Sequence, residues 1–187
     1  MRKLVVTENI TLDGVIDASE GWFAPAGEEE TDQSDLNEAL REQAAAADAV
    51  LFGRVTFEEM RGFWPLQTND ETGVTEYLNN VEKYVVSDTM TEPQWQHSTV
   101  LSGEIEGNIR DLKGREGKDI VVTGSVTLVH ELITQGLVDE YRLFVDPVVM
   151  GRGARLFEDA TNVGTLRLAD CRPFRSGIVL MRYGVNN

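Results

Sequence analysis

Short apolar runs and longer stretches of three- and four-residue spacing alternate along this chain. Leu4-Val5-Val6 lies inside the segment Lys3 to Ile10, and Ala49-Val50-Leu51-Phe52, Lys83-Tyr84-Val85-Val86-Ser87, Ile120-Val121-Val122 and Glu140 to Val145 repeat the form. Runs of this length, rich in β-branched residues, predict buried strands. Between them the spacing changes. Leu36, Leu40, Ala44 and Ala47 predict a helix starting at Ser34 or Asp35; Ile105, Ile109 and Leu112 predict another. Val126, Val129, Leu132, Ile133 and Leu137 predict a third, with Gly136 as its stop. Arg54 to Met60 predicts a helix start in which Thr56 and Glu59 have capping-box spacing, and Trp64-Pro65 ends it. Val74 to Val81 forms a short helix in this reading, Val100-Leu101 a small strand, and Met90 to His97 an irregular stretch with Trp95 as a packing anchor. Two closing strands, Thr165 to Cys171 and Ile178 to Tyr183, flank a hairpin-like connection from Arg172 to Gly177.

This order predicts one α/β domain over residues 1–187, with helices on both faces of a mostly parallel sheet and an antiparallel C-terminal end. In open α/β sheets ligands collect outside the carboxyl ends of the strands. Three such ends carry suitable chemistry: Gly53-Arg54-Val55-Thr56, Ser87-Asp88 and Gly124-Ser125-Val126-Thr127. Ser125 can cap a first helical turn, and Gly124 lets a ligand or another backbone come close. Free N–H groups at helix starts favour an anion such as a pyrophosphate. Arg54 and Ser87 suit a ribose 2′-phosphate through charge-assisted hydrogen bonds. Taken singly, each turn is also an ordinary cap. Asp13, in Thr11-Leu12-Asp13-Gly14, is first a turn residue. The loop Asp17 to Gln33, with Trp22, Phe23, Pro25 and Glu28-Glu29-Glu30, is a candidate lid.

Composition narrows the partners. Of 187 residues, 41% are hydrophobic and 26% charged, ordinary for a soluble globular protein, but the net charge is −15 and argues against a nucleic-acid partner. Cys171 stands alone, and His97 and His130 show no metal-ligand spacing, so neither a disulfide nor a zinc site is expected. The start MRKLVVTENITLDG turns polar too early for a signal peptide, and no apolar run approaches membrane-spanning length, so a cytoplasmic protein is expected. GxGxxG, GxxxxGK[ST] and GxSxG are all missing.

Several pieces in this order resemble the dihydrofolate-reductase-like domain of the RibD C-terminal (riboflavin-biosynthesis reductase) family. They are Thr11-Leu12-Asp13-Gly14, Val50 to Glu58, Val122-Thr123-Gly124-Ser125, and Gly136 to Glu140 running on to Gly151-Arg152-Gly153. The resemblance covers roughly Lys3 to Tyr183 and implies a stand-alone, dihydrofolate-reductase-like three-layer fold that binds NADPH. It implies Arg54 and Thr56, with Gly53, beside the cofactor phosphates, Ser87 near the 2′-phosphate, and Gly124, Ser125, Val126 and Thr127 on the pyrophosphate. Asn9 and Ile16 would lie beside the nicotinamide, with Asp13 in the neighbouring loop as a candidate proton donor; Asp17, Asp32 and Asp35 are further candidates. A homodimer is the default for such domains. The chain departs from the family where Gly124-Ser125 replaces a common Gly-Gly, and it lacks the zinc deaminase half of the bifunctional riboflavin enzyme. Two functions follow: hydride transfer from NADPH to a small heterocyclic, imine or carbonyl substrate, or a binding protein that keeps the nucleotide or pterin pocket without turnover.

Overall fold

The computed structural model describes residues 1–23, 32–158 and 163–186. Pro25 and the acidic run 28–30 of the expected lid lie outside the described residues. The apolar runs form an eight-stranded sheet in the order β4-β3-β2-β5-β1-β6-β8-β7. Its strands are β1 (Leu4–Thr11), β2 (Ala47–Gly53), β3 (Glu82–Val86), β4 (Ser98–Leu101), β5 (Asp119–Val122), β6 (Glu140–Asp146), β7 (Leu166–Pro173) and β8 (Val179–Val185). β1 to β6 pair in parallel, and β8 alone runs antiparallel, to both β6 and β7. The helices are α1 (Ser34–Ala46), α2 (Arg54–Phe63), α3 (Val74–Asn80), α4 (Ile105–Gly114) and α5 (Val126–Thr134).

Strand alternation divides the side chains between two faces. On one face Leu4, Val6, Ile10, Leu51, Ile120 and Val122 pack against Ile109 and Leu112 of α4 and Leu128, Val129, Leu132 and Ile133 of α5. Full burial of each such side chain contributes about 1.5–3 kcal/mol. α5 ends one turn before the apolar spacing does. At Gly136 (φ 64°) the chain reverses, and the Leu137 N–H bonds back to the Leu132 carbonyl at 3.0 Å, which keeps Leu137 in the core.

The opposite face carries two separate clusters. Val50, Phe52 and Val85 pack with Phe57 of α2, Trp64, Leu78 of α3 and Trp95, the anchor expected in the irregular stretch. Phe144, Phe174, Ile178 and Leu180 pack with Leu36, Ala39 and Leu40 of α1. The molecule is therefore three-layered, and on this face its core is split.

Candidate functional site

β2 and β5 are neighbours that end at the same level, and each turns directly into a helix. The Gly53 N–H donates to the Gly124 carbonyl at 3.2 Å, which fastens the two turns together. They touch so closely that a Cβ on Gly53 would lie 2.2 Å from Ser125 Oγ, and one on Gly124 3.1 Å from Thr56 Oγ1. Gly124 has φ 97°, where an L side chain is strained, and the Gly124–Ser125 peptide is cis.

The expected capping box is not formed. α2 begins at Arg54 with Gly53 as its N-cap, so Thr56 lies within the first turn. Ser125 is the N-cap of α5, but its hydroxyl takes up no helix N–H; it faces the end of β2 instead. Neither first turn holds an acidic residue. Two helix starts thus point their uncapped N–H groups and positive dipole ends at one corner, an arrangement that favours a diphosphate-like anion. Arg54 sits at its rim, half exposed and paired with Glu58 at 2.9 Å. Register pairs Gly53 with Val86, so Ser87 is the next step outward beside Arg54. Ser87 Oγ accepts N–H bonds from Thr89 and Met90, while Asp88 accepts one from Gly103 at 2.8 Å. Gly53, Arg54, Thr56, Ser87, Gly124, Ser125, Val126 and Thr127 are thus brought to one edge.

A slot opens beside this corner. β1 pairs with β5 only from Leu4 to Val6 but with β6 as far as Thr11. The Lys3 carbonyl bonds to Ile120 of β5 and the Leu4 carbonyl to Asp139 on the β6 side, so odd-numbered residues of β1 turn their main chain toward β5. At Asn9 there is no β5 left, and its N–H and C=O face the gap above Thr123-Gly124. The outer end is bridged where the Thr11 N–H bonds to the Val15 carbonyl at 3.0 Å; the next residue, Ile16, is buried and donates its N–H to the Ala154 carbonyl at 2.9 Å.

Asn9 and Thr123 also line a cavity of about 230 Å³ that fills the split in the core. Its walls are Phe52, Met60, Trp64 and Tyr77 on one side and Leu36, Leu40, Phe144 and Ile178 on the other, with Trp22 and Phe23 of the expected lid at the mouth. α1 turns Asn37 and Gln43 into it, and Gln43 meets the Thr7 hydroxyl at 3.2 Å. The acids of α1 are elsewhere: Asp35 accepts from the Arg175 N–H and Glu42 pairs with Arg172.

Asp13 lies near the slot but is fully engaged. It accepts from the Thr11 hydroxyl at 2.6 Å, Gly151 N–H at 2.7 Å and Met150 N–H at 3.1 Å. These bonds, the Thr11 hydroxyl's first, hold its carboxyl down at about 2. Such a group stays ionised and clamps the 150s loop to the end of β1. Asp17 accepts from Ser19, and Asp32 pairs with Arg175 at 2.5 Å; neither lines the cavity. Among the described residues no His, Cys, Asp and Glu cluster could hold a metal ion, and no helix is long and apolar enough to cross a membrane.

Sequence reasoning did not single out Glu8. Its Oε1 is buried and meets no hydrogen-bond partner among the described residues, and burial pushes its carboxyl up to about 8. Asn37, Gln43 and Thr123 were also missed as cavity residues. The available signal was an acid between apolar strand positions, which reads equally well as an exposed strand residue.

A family model described as the RibD C-terminal domain matches residues 2–180. The Bacillus subtilis (strain 168) protein YyaP is 30% identical over 190 residues, covering 99% of this chain and 96% of its own length. A putative riboflavin biosynthesis protein from Shewanella sp. PV-4 superimposes with a TM-score of 0.72 at 18% identity, covering 99% of each chain. A dihydrofolate reductase from Enterococcus faecalis, complexed with NADP(H) and RAB-propyl, superimposes with a TM-score of 0.65 at 16% identity, covering 99% of this chain and 97% of its own. The fold is dihydrofolate-reductase-like.

Proposed function

Because the chain belongs to the RibD C-terminal domain family, we propose that it is a reductase that lays NADPH along the carboxyl edge of its sheet. From there hydride passes to a small heterocyclic, imine or carbonyl compound of pterin or pyrimidine size. The observation that carries this reading is continuity. The anion corner at Gly53 and Gly124, the slot beside Asn9 and the apolar cavity adjoin one another, with Gly124, Asn9 and Thr123 as shared walls.

The residues present suit a nicotinamide dinucleotide. Two acid-free helix starts and Arg54 would take the phosphates, with Ser87 beside the 2′-phosphate. The main chain of Asn9 would hold the amide edge of the ring, and Ile16 would cover it. When bound, the cofactor supplies the hydride. The chain would hold ring and substrate together near Asn9 and Thr123 and would exclude water with the Phe52, Trp64 and Phe144 walls. Asn37 and Gln43 offer donors and acceptors to a heterocycle, and Asp146 of β6 and Arg41 of α1 stand in the same wall. A homodimer belongs to the same proposal, and light scattering would give its mass.

One observation favours a second reading, a binding protein without turnover: α1 presents carboxamides and no carboxyl to the cavity. Titration with NADPH, read through quenching of Trp22 and Trp64, tests the cofactor site. Arg54→Ala is expected to weaken binding about tenfold, the worth of one charge-assisted hydrogen bond. No binding at about millimolar NADPH would end the reductase reading. Binding without NADPH oxidation across a panel of pterins, pyrimidines and cyclic imines would leave the binding protein.

A further inference from the structure

Glu8 is a half-buried acid with a fully buried Oε1; it borders the cavity between Thr7 and Asn9, yet the site as described gives it no role. It follows Leu4 and Val6 onto the α5 face of β1, opposite Leu143 of β6, in an unbroken register. Extending the β1–β5 pairing past Val6 and Val122 sets Glu8 level with Gly124, where β5 has given way to the corner. Its neighbours in the chain are thus Asn9, whose main chain faces the slot, and Thr7, whose side chain faces the cavity. Ile16, Val126 and Val129 belong to the same packed face. A carboxyl here lies at the inner end of the slot, and its Oε1 has no partner among the described residues.

We propose that Glu8 closes the slot as a neutral carboxylic acid and is the positioning residue for the amide-bearing ring of the dinucleotide. This rests on the cofactor reading above. A protonated carboxyl has one donor and one acceptor side by side, the complement of a carboxamide edge. Ionised, it keeps only acceptors, and the amide carbonyl then faces a negative charge. Binding is therefore linked to a proton that Glu8 already holds at neutral pH, since loss of water around it opposes its ionisation.

Charged groups of the elements packed on this face meet other partners: on α4, Arg110 pairs with Glu106 at 2.7 Å and Lys113 with Asp139 at 2.6 Å. On α5, His130 bonds to the Arg155 carbonyl at 2.7 Å and lies 3.2 Å from Glu158. In the loops, Asp13 is held by Met150 and Gly151, and Arg155 donates to the Asp13 carbonyl. On β6, Tyr141 is buried and its hydroxyl is pushed up by burial, so it stays neutral. None of these supplies a countercharge to Glu8.

The test is NADPH affinity between pH 6 and 9.5 for the wild type and Glu8→Gln, with the Glu8 carboxyl followed by ¹³C NMR in the wild type with and without NADPH. The wild-type Kd is expected to rise above pH 8 toward about tenfold per pH unit, while Glu8→Gln, still a donor and acceptor, stays flat over that part of the range. Lys83, pushed down to about 8 by burial, titrates in both proteins and so cancels in the comparison. Bound NADPH is expected to shift the Glu8 titration to higher pH. Parallel pH profiles, or a Glu8 titration unmoved by NADPH, overturn the inference and leave the reductase reading standing. Absence of NADPH binding at every pH overturns both.

Discussion

A methyl group added at Gly53 would fall 2.2 Å from the Ser125 hydroxyl oxygen, so either that side chain or the first turn of α2 has to move. Overpacking of this kind costs about 1–3 kcal/mol, and here it also displaces the N–H groups that would take the phosphates of the proposed cofactor. Gly53→Ala is expected to lower stability by that amount in chemical denaturation and to weaken NADPH at least about tenfold. Adding Ser125→Gly, which removes the atoms in the way, should recover much of both losses. A charge decides the neighbouring position. Asp88 follows Ser87 at the expected 2′-phosphate end, where Arg54 is already shared with Glu58. An acid there disfavours a phosphate and tolerates a hydroxyl. Asp88→Arg is therefore expected to raise the ratio of NADPH to NADH affinity by about tenfold, and an unchanged ratio would remove Ser87-Asp88 from the site. These residues were legible because glycine, serine and arginine at a strand end carry local signals. Glu8 was not, because only the register shows that its side chain enters the packed face.

At the scale of elements, the strands and their glycine turns could be read from the sequence because each is a continuous apolar run with a local stop. The start of α2 could not be placed by capping-box spacing. The contact between Gly53 and Gly124 fixes where β2 ends, and tertiary packing overrides the Thr56–Glu59 pattern. The cavity was hidden for a similar reason. α1 is amphipathic in the sequence, but which of its polar residues face inward depends on the gap between the two apolar clusters. The end of β1 shows how one side chain can join elements. Asp13 accepts the N–H groups of Met150 and Gly151, 137 and 138 residues away. Asp13→Ala should leave the sheet intact but raise hydrogen exchange at those two amides selectively. Should protection there be unchanged, the clamp assigned to Asp13 is wrong.

The whole molecule sets two glutamates of opposite behaviour, buried Glu140 and half-buried Glu8, against each other. At the amino end of the sheet, Glu140 meets Arg142 at 2.7 Å, Arg182 at 2.8 Å and Lys3 at 3.2 Å. Burial alone would raise its carboxyl, but the hydrogen bonds and charges of Arg142 and Arg182 bring it down to about 2 from 4.5. Its contribution to stability is present above pH 4.5 and is lost as pH falls toward 2. Removing the acid takes a carboxylate from three cations and leaves buried Arg142 with only Asp119 at 2.7 Å, so Glu140→Gln should cost about 3 kcal/mol at pH 7. Glu8 at the carboxyl end has the opposite sign. Raised from 4.5 to about 8, it binds a proton in the folded chain that the unfolded chain has released, so stability declines as pH rises across that window. The slope of this one group is at most about 1.4 kcal/mol per pH unit. Lys83 reverses the trend above pH 8, because its folded form releases its proton at about 8 instead of 10.5. Denaturation midpoints measured from pH 4 to 9 should therefore fall from near pH 5 toward pH 8 in the wild type and decline less in Glu8→Gln, with the two curves converging below pH 4.5. A variant curve parallel to the wild type would mean that Glu8 is ionised in the folded chain, and the acid at the end of the slot would then need a partner that the packed face does not supply.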